Sequence, residues 1–469
     1  MLGDDGRCEP RDPDETLQAL RDHQAQRSSL HFDAERLRPV DEPFWANLPH
    51  CDIFSSIMPD ILHQLHKGVF KDHLLSWCTT LVGEDEIDRR FRAMADFPGL
   101  RHFRNGISHV SQWTGREHKE MQRIIVGLLA GAVSAEVLMV VRSLVDFIYY
   151  AQLQSHTDTT LAHLQSSLDT FHRHKDVFVR LGIREHFNIP KVHFLLHYIE
   201  AIRSHGSCDG FNTELPERLH IDYAKQAYRA SNRRNYLEQM VTWLARQEAV
   251  DLHTSYVRWY QKQAIIPDWR RAGYAIAKNC PLPGTSLERI ESAYGATEFL
   301  PAFTEFVRTN LPECRFKPNR MDRFDVYKKL TIVYRAAAHG DIAWHKDRIR
   351  TVLGKASRGT KKGVAAHFDT AFVVDPDVPI DQRGDSRSVS DTRVARVRVI
   401  FDLPQQFGSL PHPLAYIEWY TPLRTKVPDP RVGLYQISPS TQRRRPNAAI
   451  VRVDQIKRAC HLIPGVARR

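Results

Sequence analysis

The sequence predicts an α+β protein, in which a mostly helical body is followed by a small antiparallel β domain. Apolar residues recur at helical spacing through most of residues 59–263. Past about residue 340, five short runs rich in Val, Ile, Tyr and Phe are separated by Pro, Gly and Asp, which is typical of strands joined by turns. The turn-rich run NCPLPGTS, after Pro267, lies between the two patterns and predicts a linker.

The helical body follows a polar segment, residues 1–40, in which apolar periodicity is weak. Pro59 suits the first turn of a helix, and the apolar residues that follow it keep helical spacing: Ile61, Leu62, Leu65, Val69, Phe70 and Leu74. The same spacing predicts further helices at about 116–152, 156–183, 191–205, 216–248 and 251–263. We therefore assign residues 41–265 to one large helical region.

The remainder divides into a linker and a β-rich domain. Residues 266–340 are predicted to be a helical linker region, because 286–311 give one or two further helices. Residues 341–469 form the predicted β domain, and its five runs are HFDTAFVVD, RVARVRVIFDLP, LAYIEWYTPL, VGLYQI and AAIVRVDQI.

The positive charge of the chain is concentrated in this last domain. The net charge is +11, and residues 341–469 hold 23 basic and 12 acidic side chains, whereas residues 1–340 hold 43 of each. A basic segment on a neutral body predicts contact with a polyanion, with nucleic acid favoured over an acidic membrane. Two basic clusters are the candidates for DNA phosphate contact, namely Lys355, Arg358, Lys361 and Lys362 in one and Arg443, Arg444 and Arg445 in the other.

Several protein classes find no support in the sequence. There is no P-loop, GxGxxG or GxSxG motif, and the seven cysteines include no CxxC pair, so a reducing compartment is expected. Residues 124–141 have the length of a membrane span, but Glu136 interrupts them and charged, amphipathic sequence flanks them. We interpret this stretch as a buried helix and expect no membrane contact.

The first candidate constellation is Asp60 and His63, with His66 one turn further. Residues three apart on a helix share a face, so Asp60 and His63 could meet each other or a common ligand. The alternative is that Asp60 is present because a carboxylate at a helix start interacts well with the helix dipole, while His63 is a partly buried histidine.

The second constellation is the run from Asn212 to His220, NTELPERLH, in which Pro216 suits a helix start. Glu217 and His220 then share one face, and Glu214 lies close by. Paired acids beside a histidine are ligands that Mg²⁺ accepts. The alternative, which the residues alone favour, is that the helix dipole favours glutamates at a helix start. A third pair, His193 and His197, has zinc-helix spacing, but Phe194 stands where a metallopeptidase needs its glutamate, so we reject a peptidase.

Several long phrases together resemble the Plavaka transposases, a fungal group of CACTA-like DNA transposons. The resemblance runs from about residue 40 to the C-terminus and is carried by FWANLPHCDIFSSIMPDILHQLHKGVFKDHLLSWC, QWTGREHKEMQRIIVGLLAG, PKVHFLLHYIEAIRSHGSCDGFNTELPERLHIDYAKQAYRASNRRNYLEQM and HPLAYIEWYT with VRVDQIKRACHLIP. It implies a ribonuclease-H-like core with two Asp and one Glu, and a helical insertion that carries a D-x-x-H signature. Asp60 and His63 match that signature.

The resemblance also implies the roles of the acids near residue 217. The final catalytic Glu falls at Glu217, with Glu214 as the alternate, and would help to hold Mg²⁺ or Mn²⁺ for attack on DNA phosphate. His220 completes the E-x-x-H form of that motif. DNA is the implied partner, a homo-oligomer is possible, and the nucleus is the implied location, with the cytoplasm as the alternative.

The sequence departs from the family at its two aspartates. Only 59 residues precede Asp60, and the acids among them lack a flanking strand pattern. One carboxylate cannot assemble a two-metal site, so we expect the C-terminal portion of a transposase, a truncated copy that binds DNA and has little or no cleavage or strand-transfer activity. The alternatives are a non-catalytic DNA- or protein-binding module, and an intact metal-dependent nuclease or transposase completed by other acids.

Overall fold

The computed structural model describes residues 11–110, 113–261, 273–338, 341–357, 363–378, 391–423 and 427–465. It is 46% helical and 17% strand, and its sheets are antiparallel, which confirms the predicted α+β class. The chain folds into two compact units. Unit 1 comprises Met1–Gly83, Gln112–Gln122 and Ser134–Thr254, and unit 2 comprises Glu84–Ser111, Arg123–Val133 and Ser255–Arg469.

Helices dominate the chain up to residue 260. In chain order they are α1 (Pro13–Gln24), α2 (Leu30–Ala34), a π-helix (Ile61–Leu75), α3 (Ser76–Val82), α4 (Glu84–Ala93), α5 (Gly115–Leu129), α6 (Ala135–Ala151), α7 (Asp158–His174), α8 (Val177–Arg180), α9 (Pro190–His193), a 3₁₀ turn (Phe194–His197), α10 (Tyr198–His205), a second 3₁₀ turn (Cys208–Gly210), α11 (Glu214–Leu219), a second π-helix (His220–Gln226), α12 (Ala227–Ala230) and α13 (Tyr236–Tyr260).

The apolar stretch around Glu136 forms parts of two helices. Gly131, with φ of 75°, ends one helical run, and the Ser134 hydroxyl accepts the backbone N–H of Val137 to start α6. Residues of α6 such as Val140 and Leu144 are fully buried in unit 1. The stretch is buried as predicted, but the single helix predicted at 116–152 is wrong, because the chain turns between α5 and α6. Among the described residues no helix is long and apolar enough to span a bilayer.

The strands all belong to unit 2. They are β1 (Gly273–Ala275), β2 (Leu282–Ser286), β3 (Arg323–Tyr327), β4 (Lys329–Ala338), β5 (Asp341–Val352), β6 (His367–Phe368), β7 (Thr370–Val374), β8 (Thr392–Phe401), β9 (Leu414–Trp419), β10 (Thr441–Gln442), β11 (Arg445–Pro446), β12 (Ala448–Arg452) and β13 (Ile456–Cys460). Two helices, α14 (Leu287–Ala293) and α15 (Phe299–Asn310), lie between β2 and β3.

Strand β8 is the centre of the larger sheet. A seven-stranded antiparallel sheet runs in the order β12-β9-β8-β3-β2, and β7 joins β13 to β8. A second sheet has the order β1-β4-β5-β6, and β10 with β11 forms a separate hairpin. The register of β8 on β9 places Val397 opposite Ile417, and both are buried.

Two apolar clusters cover the residues of this sheet. One joins α14 and α15 to the strands through the rings of Phe299, Phe303, Phe324 and Phe401, which pack mostly edge to face with centroids 5.0 to 6.0 Å apart. The other contains Tyr327, Val397, Ile417 and Trp419. Strand side chains alternate between faces, so one sheet supplies both clusters.

The strands differ from the sequence prediction in several places. Within the predicted β domain, β5, β10, β11 and most of β13 lie outside the five predicted runs. β1 to β4 lie in the region predicted as a helical linker, where α14 and α15 match the helices predicted for 286–311. Residues 432–437, the predicted strand VGLYQI, form no strand, because the backbone of Asp429 bonds to Val432, Gly433 and Leu434 and closes a local turn. The other four predicted runs contain β6 and β7, β8, β9 and β12.

Candidate functional site

The D-x-x-H signature opens the first π-helix. Asp60 is its N-cap residue, with extended backbone, and its carboxylate accepts the backbone N–H groups of Leu62 and His63 at 3.4 and 2.9 Å. Pro59 therefore precedes the cap instead of lying in the first turn as the sequence suggested. The sequence offered the interpretation that Asp60 favours the helix start through the helix dipole; in the structure it lies at that start as the capping residue.

The side chain of His63 lies between two carboxylates. Its Nδ1 is 2.6 Å from Asp60 Oδ2, and its Nε2 is 2.8 Å from Glu217 Oε1. Each ring nitrogen of His63 therefore lies within hydrogen-bond distance of a carboxylate oxygen. Asp60, His63 and Glu217 are called the D-H-E cluster below.

Thr213, at the start of α11, joins the D-H-E cluster from the other side. Its backbone N–H donates to Asp60 Oδ1 at 3.0 Å and its hydroxyl donates to Asp60 Oδ2 at 2.9 Å. Burial raises the pKa of Asp60, but the hydrogen bonds from Thr213 and His63 outweigh it and leave the pKa below its ordinary value. Asp60 is therefore held ionised and faces five donors.

Sequence reasoning missed Thr213. A Thr before a helix reads as an N-cap, but here the helix-start bond comes from Asn212, whose Oδ1 accepts the backbone N–H of Glu214 at 2.8 Å. The presence of Asn212 as a second capping candidate was the available signal, because it leaves the Thr213 hydroxyl to bond elsewhere.

The two glutamates of the second constellation have separate partners. Glu214 Oε2 lies 2.6 Å from Lys119 Nζ on α5, whereas Glu217 reaches His63. His220 is exposed in the first turn of the second π-helix, and within the described part of the chain no ion pair joins it to Glu217. The prediction that Glu217 and His220 act as one E-x-x-H pair has no contact to support it.

Buried polar side chains fix the first π-helix in unit 1. Tyr198 donates to Gln64 Oε1 at 3.0 Å, and His66 Nδ1 lies 3.1 Å from Gln122 Oε1. Burial, together with Lys119 and His118, lowers the pKa of His66 to about 3, so it stays neutral at physiological pH. The helix that carries His63 is thus tied to α5 and α10. π-Helical turns such as the two in this site are rare in proteins and occur often at functional positions.

The arrangement does not fit a two-magnesium site as it stands. Each of the three carboxylates, of Asp60, Glu214 and Glu217, faces a protein donor, so Mg²⁺ would have to displace Lys119 or His63 to reach a shared position. Across the described ranges, no group of three or more His, Cys, Asp and Glu side chains is placed to hold a metal ion. The assignment of Mg²⁺ or Mn²⁺ to Glu217 stays a prediction.

His193 and His197, which the sequence analysis rejected as a zinc-binding pair of a peptidase, contact each other. His193 Nε2 lies 3.3 Å from His197 Nε2, and burial, with His197 nearby, lowers the pKa of His193. Such a distance suits a hydrogen bond between the two rings, in which one nitrogen donates and the other accepts.

The two basic clusters predicted in residues 341–469 differ in exposure and in their partners. Arg443 and Arg444 form the two-residue tip of the β10–β11 hairpin, with φ of 49° and 63°, and both are exposed. Arg445 Nη1 lies 3.3 Å from Glu298 Oε1. Lys355 is exposed, and Arg358, Lys361 and Lys362 lie outside the described residues.

Positive φ at both central residues identifies a turn that favours Asn and Gly. Each arginine held in this left-handed conformation costs about 1 kcal/mol. Arg443 and Arg444 are both exposed at the tip of this hairpin, so they are the best-presented cation pair among the predicted DNA contacts.

The N-terminal part of the chain, which contains the D-x-x-H signature, matches a known protein family. Residues 1–78 match the Plavaka transposase family model. This match confirms the resemblance to Plavaka transposases, and it starts earlier than the sequence phrases did, since it includes the polar segment 1–40. It also contains Asp60 and His63. The Plavaka match ends at residue 78, so the assignment of Glu217 and a C-terminal placement in a transposase stay predictions. No curated protein and no solved structure matches the chain.

Proposed function

We propose that this chain is a transposon-derived DNA-binding protein in which the D-x-x-H signature positions Glu217. The observation that carries the proposal is the 2.8 Å contact from His63 to Glu217, which joins the Plavaka-matched segment to the acid expected from the same family. The Plavaka match suggests a transposon-derived protein that interacts with DNA. It also suggests a nuclear role, and we propose the nucleus as the location.

His63 acts here as a positioning residue. Asp60 is fixed by the helix start and by Thr213, and it in turn orients the imidazole through Nδ1. The opposite nitrogen, Nε2, then sets the place of the Glu217 carboxylate. A half-exposed ion pair is worth at most about 1 kcal/mol, so the contribution of the contact is geometric more than energetic.

We place the DNA contact on unit 2, and substitutions at the tip of the β10–β11 hairpin test this placement. Arg443→Asn with Arg444→Gly removes two cations and installs the residues that the turn prefers. The double variant should therefore fold at least as well as the wild type and bind DNA more weakly. Loss of binding could then not be ascribed to loss of folding.

A matched control exists in unit 1. Arg233 has φ of 63°, is exposed beside Arg234, and lies outside the basic domain. Arg233→Gly with Arg234→Gln removes the same charge from an equally left-handed turn. We expect this control to bind DNA nearly as the wild type does.

The measurement is the DNA dissociation constant over a range of salt concentrations. Each lost phosphate contact lowers the slope of log K against log salt by about 0.9, so the hairpin variant should lower it by up to about 2. Equal binding by the hairpin variant and the wild type would place the contact elsewhere. A larger effect of the control would place it on unit 1.

The D-H-E cluster also favours a second candidate, an active metal-dependent transposase. A glutamate held by the family signature is what such an enzyme needs, whereas the pairing of each acid with a protein donor favours little or no cleavage. We propose that the chain has little or no cleavage activity. Nicking of DNA that depends on Mg²⁺ or Mn²⁺ and is abolished by Glu217→Gln would overturn this proposal and leave the DNA-binding proposal intact.

A further inference from the structure

The helix α13 is exposed along its whole length. It has 25 residues and none of them is buried. Several of its large apolar side chains face solvent: Leu237 is 70% exposed, Val241 62%, Leu252 65% and Trp259 73%. A surface helix ordinarily buries its apolar stripe, and monomers rarely expose large apolar patches. The surface of α13 therefore has the composition of an interface.

Part of this exposed apolar surface forms one stripe. At 100° per residue, Leu237, Val241, Leu252 and Trp259 fall, with the half-buried Leu244, within a sector of about 80°, and the stripe runs for about 33 Å. We call these five residues the α13 stripe. Glu248 is at its midpoint. The exposed Tyr236, Val250 and Tyr260 lie outside this sector.

Charge excludes DNA as the natural occupant of the α13 stripe. The helix carries Glu238, Glu248 and Asp251 against Arg246 and Arg258, so it is slightly acidic. Phosphates require clusters of Lys and Arg, and the chain holds its excess of those in residues 341–469. The α13 stripe suits a protein surface.

We propose that a second copy of this chain covers the stripe, with α13 packed against α13 in antiparallel orientation. The stripe repeats itself about its midpoint: Leu244 and Leu252 lie four residues from Glu248, and Leu237 and Trp259 lie eleven residues from it. A two-fold axis beside Glu248 places Leu244 against Leu252 of the second copy and Leu237 against its Trp259. Such a self-complementary patch is what a two-fold dimer requires.

The charges select the antiparallel orientation. Glu238 is near the first end of α13 and Arg258 is near the last. Antiparallel packing brings Glu238 of each copy to the same end as Arg258 of the other, whereas parallel packing gathers like charges. The helix dipoles also oppose each other only in the antiparallel pair.

The available area fits a reversible dimer. Tyr256 flanks the stripe at 57% exposure, and with Trp259 it supplies roughly 300 Å² of buried surface per copy. The aliphatic residues of the stripe bring the patch toward the roughly 800 Å² per partner of a standard interface.

The midpoint gives the sharpest test. The two-fold axis brings Glu248 of each copy together, and like charges there weaken the pair. Glu248→Leu should therefore tighten the dimer. The control is Arg246→Leu, which adds the same side chain about 160° around the helix and should leave association unchanged.

The experiment is sedimentation velocity of the full chain, without DNA, over a series of protein concentrations. The wild type should dimerise, Glu248→Leu should dimerise at lower concentration, and Leu252→Asp or Val241→Asp should raise the dissociation constant roughly tenfold or more. Both aspartates replace exposed residues, so circular dichroism should show an unchanged fold.

Three results would overturn the proposal. They are a monomer at every concentration, a dimer that neither aspartate variant weakens, and self-association that appears only when DNA is added. None of them bears on DNA binding by the hairpin variants, so the two proposals fail separately.

Discussion

At the scale of single residues, Asp60 makes most of the contacts of the site. Asp60 contributes a helix cap, two bonds from Thr213 and one ring contact, whereas Glu217 contributes one exposed contact. Asp60→Ala should therefore lower the free energy of unfolding by about 1 to 2 kcal/mol, with cap loss as the largest part. Glu217→Gln should cost less than about 0.5 kcal/mol. Urea unfolding measures both.

Equal costs for Asp60→Ala and Glu217→Gln would contradict the cap-based account of Asp60. Asp60→Asn is the matched control, because Asn also caps helices well. It should retain most of the stability while weakening the contact with His63.

His66 makes the stability of unit 1 depend on pH. Its pKa is about 3 in the folded chain because of burial and the nearby Lys119 and His118, and a histidine in the unfolded chain titrates near 6.5. Between these values the unfolded chain binds the proton and the folded chain does not. Folding stability therefore falls as pH drops below 6.5, by up to about 2 kcal/mol at pH 5.

His66→Gln should flatten this pH dependence, as urea unfolding at pH 7 and pH 5 would show. His253→Gln, at an exposed position of α13, is the control and should leave it unchanged. A variant as pH-sensitive as the wild type would assign the effect to another group, such as His118, whose pKa burial lowers to about 4.

At the scale of elements, the β10–β11 hairpin contains backbone strain that two substitutions remove. Arg443 and Arg444 both have positive φ, which Asn and Gly adopt at little cost. Arg443→Asn with Arg444→Gly should raise the free energy of unfolding by about 1 kcal/mol. Guanidinium unfolding measures it, and reversing the two residues to Gly and Asn tests whether the turn type is the cause.

Sequence periodicity predicted the helices better than the strands. The 3.6-residue pattern located the helical segments because each carries several turns of apolar spacing, but it missed several of their ends. It joined α5 and α6 into one helix at 116–152 and divided α13 between the helices predicted at 216–248 and 251–263. β3 and β4 were missed, since RFDVYKKLTIVYR interleaves its apolar residues with charges and lies beside two real helices. Short strands are defined by their partners, and those are distant in the chain.

The D-H-E cluster shows the same division between local and distant contacts. The sequence placed Asp60 and His63 together because helical spacing is local. It gave Glu217 only through the family resemblance, and no local pattern could show that His63 Nε2 reaches it. Thr213 was not predicted at all, because its bond to Asp60 depends on the tertiary fold.

At the scale of the whole molecule, the boundary drawn at residue 341 from the charge distribution does not coincide with a structural unit. β4 pairs with β5 along its full length, and β3 pairs with β8. A fragment of residues 1–340 would leave both strands without these partners, so deletion of 341–469 would damage unit 2 as well as remove charge. Charge removal at the hairpin tip is the cleaner test of the DNA contact.

The same charge distribution predicts how divalent ions affect the full chain. If DNA is held by Lys and Arg that displace counterions, Mg²⁺ competes for the phosphates and weakens binding, as any cation does. A site at Glu217 that recruited Mg²⁺ to hold DNA would strengthen it instead. We expect the DNA dissociation constant to rise on addition of Mg²⁺ at constant ionic strength, to the same extent in the wild type and Glu217→Gln. A dissociation constant that Mg²⁺ lowers in the wild type but not in Glu217→Gln would show that Glu217 holds the ion, since the two proteins share every basic residue of unit 2.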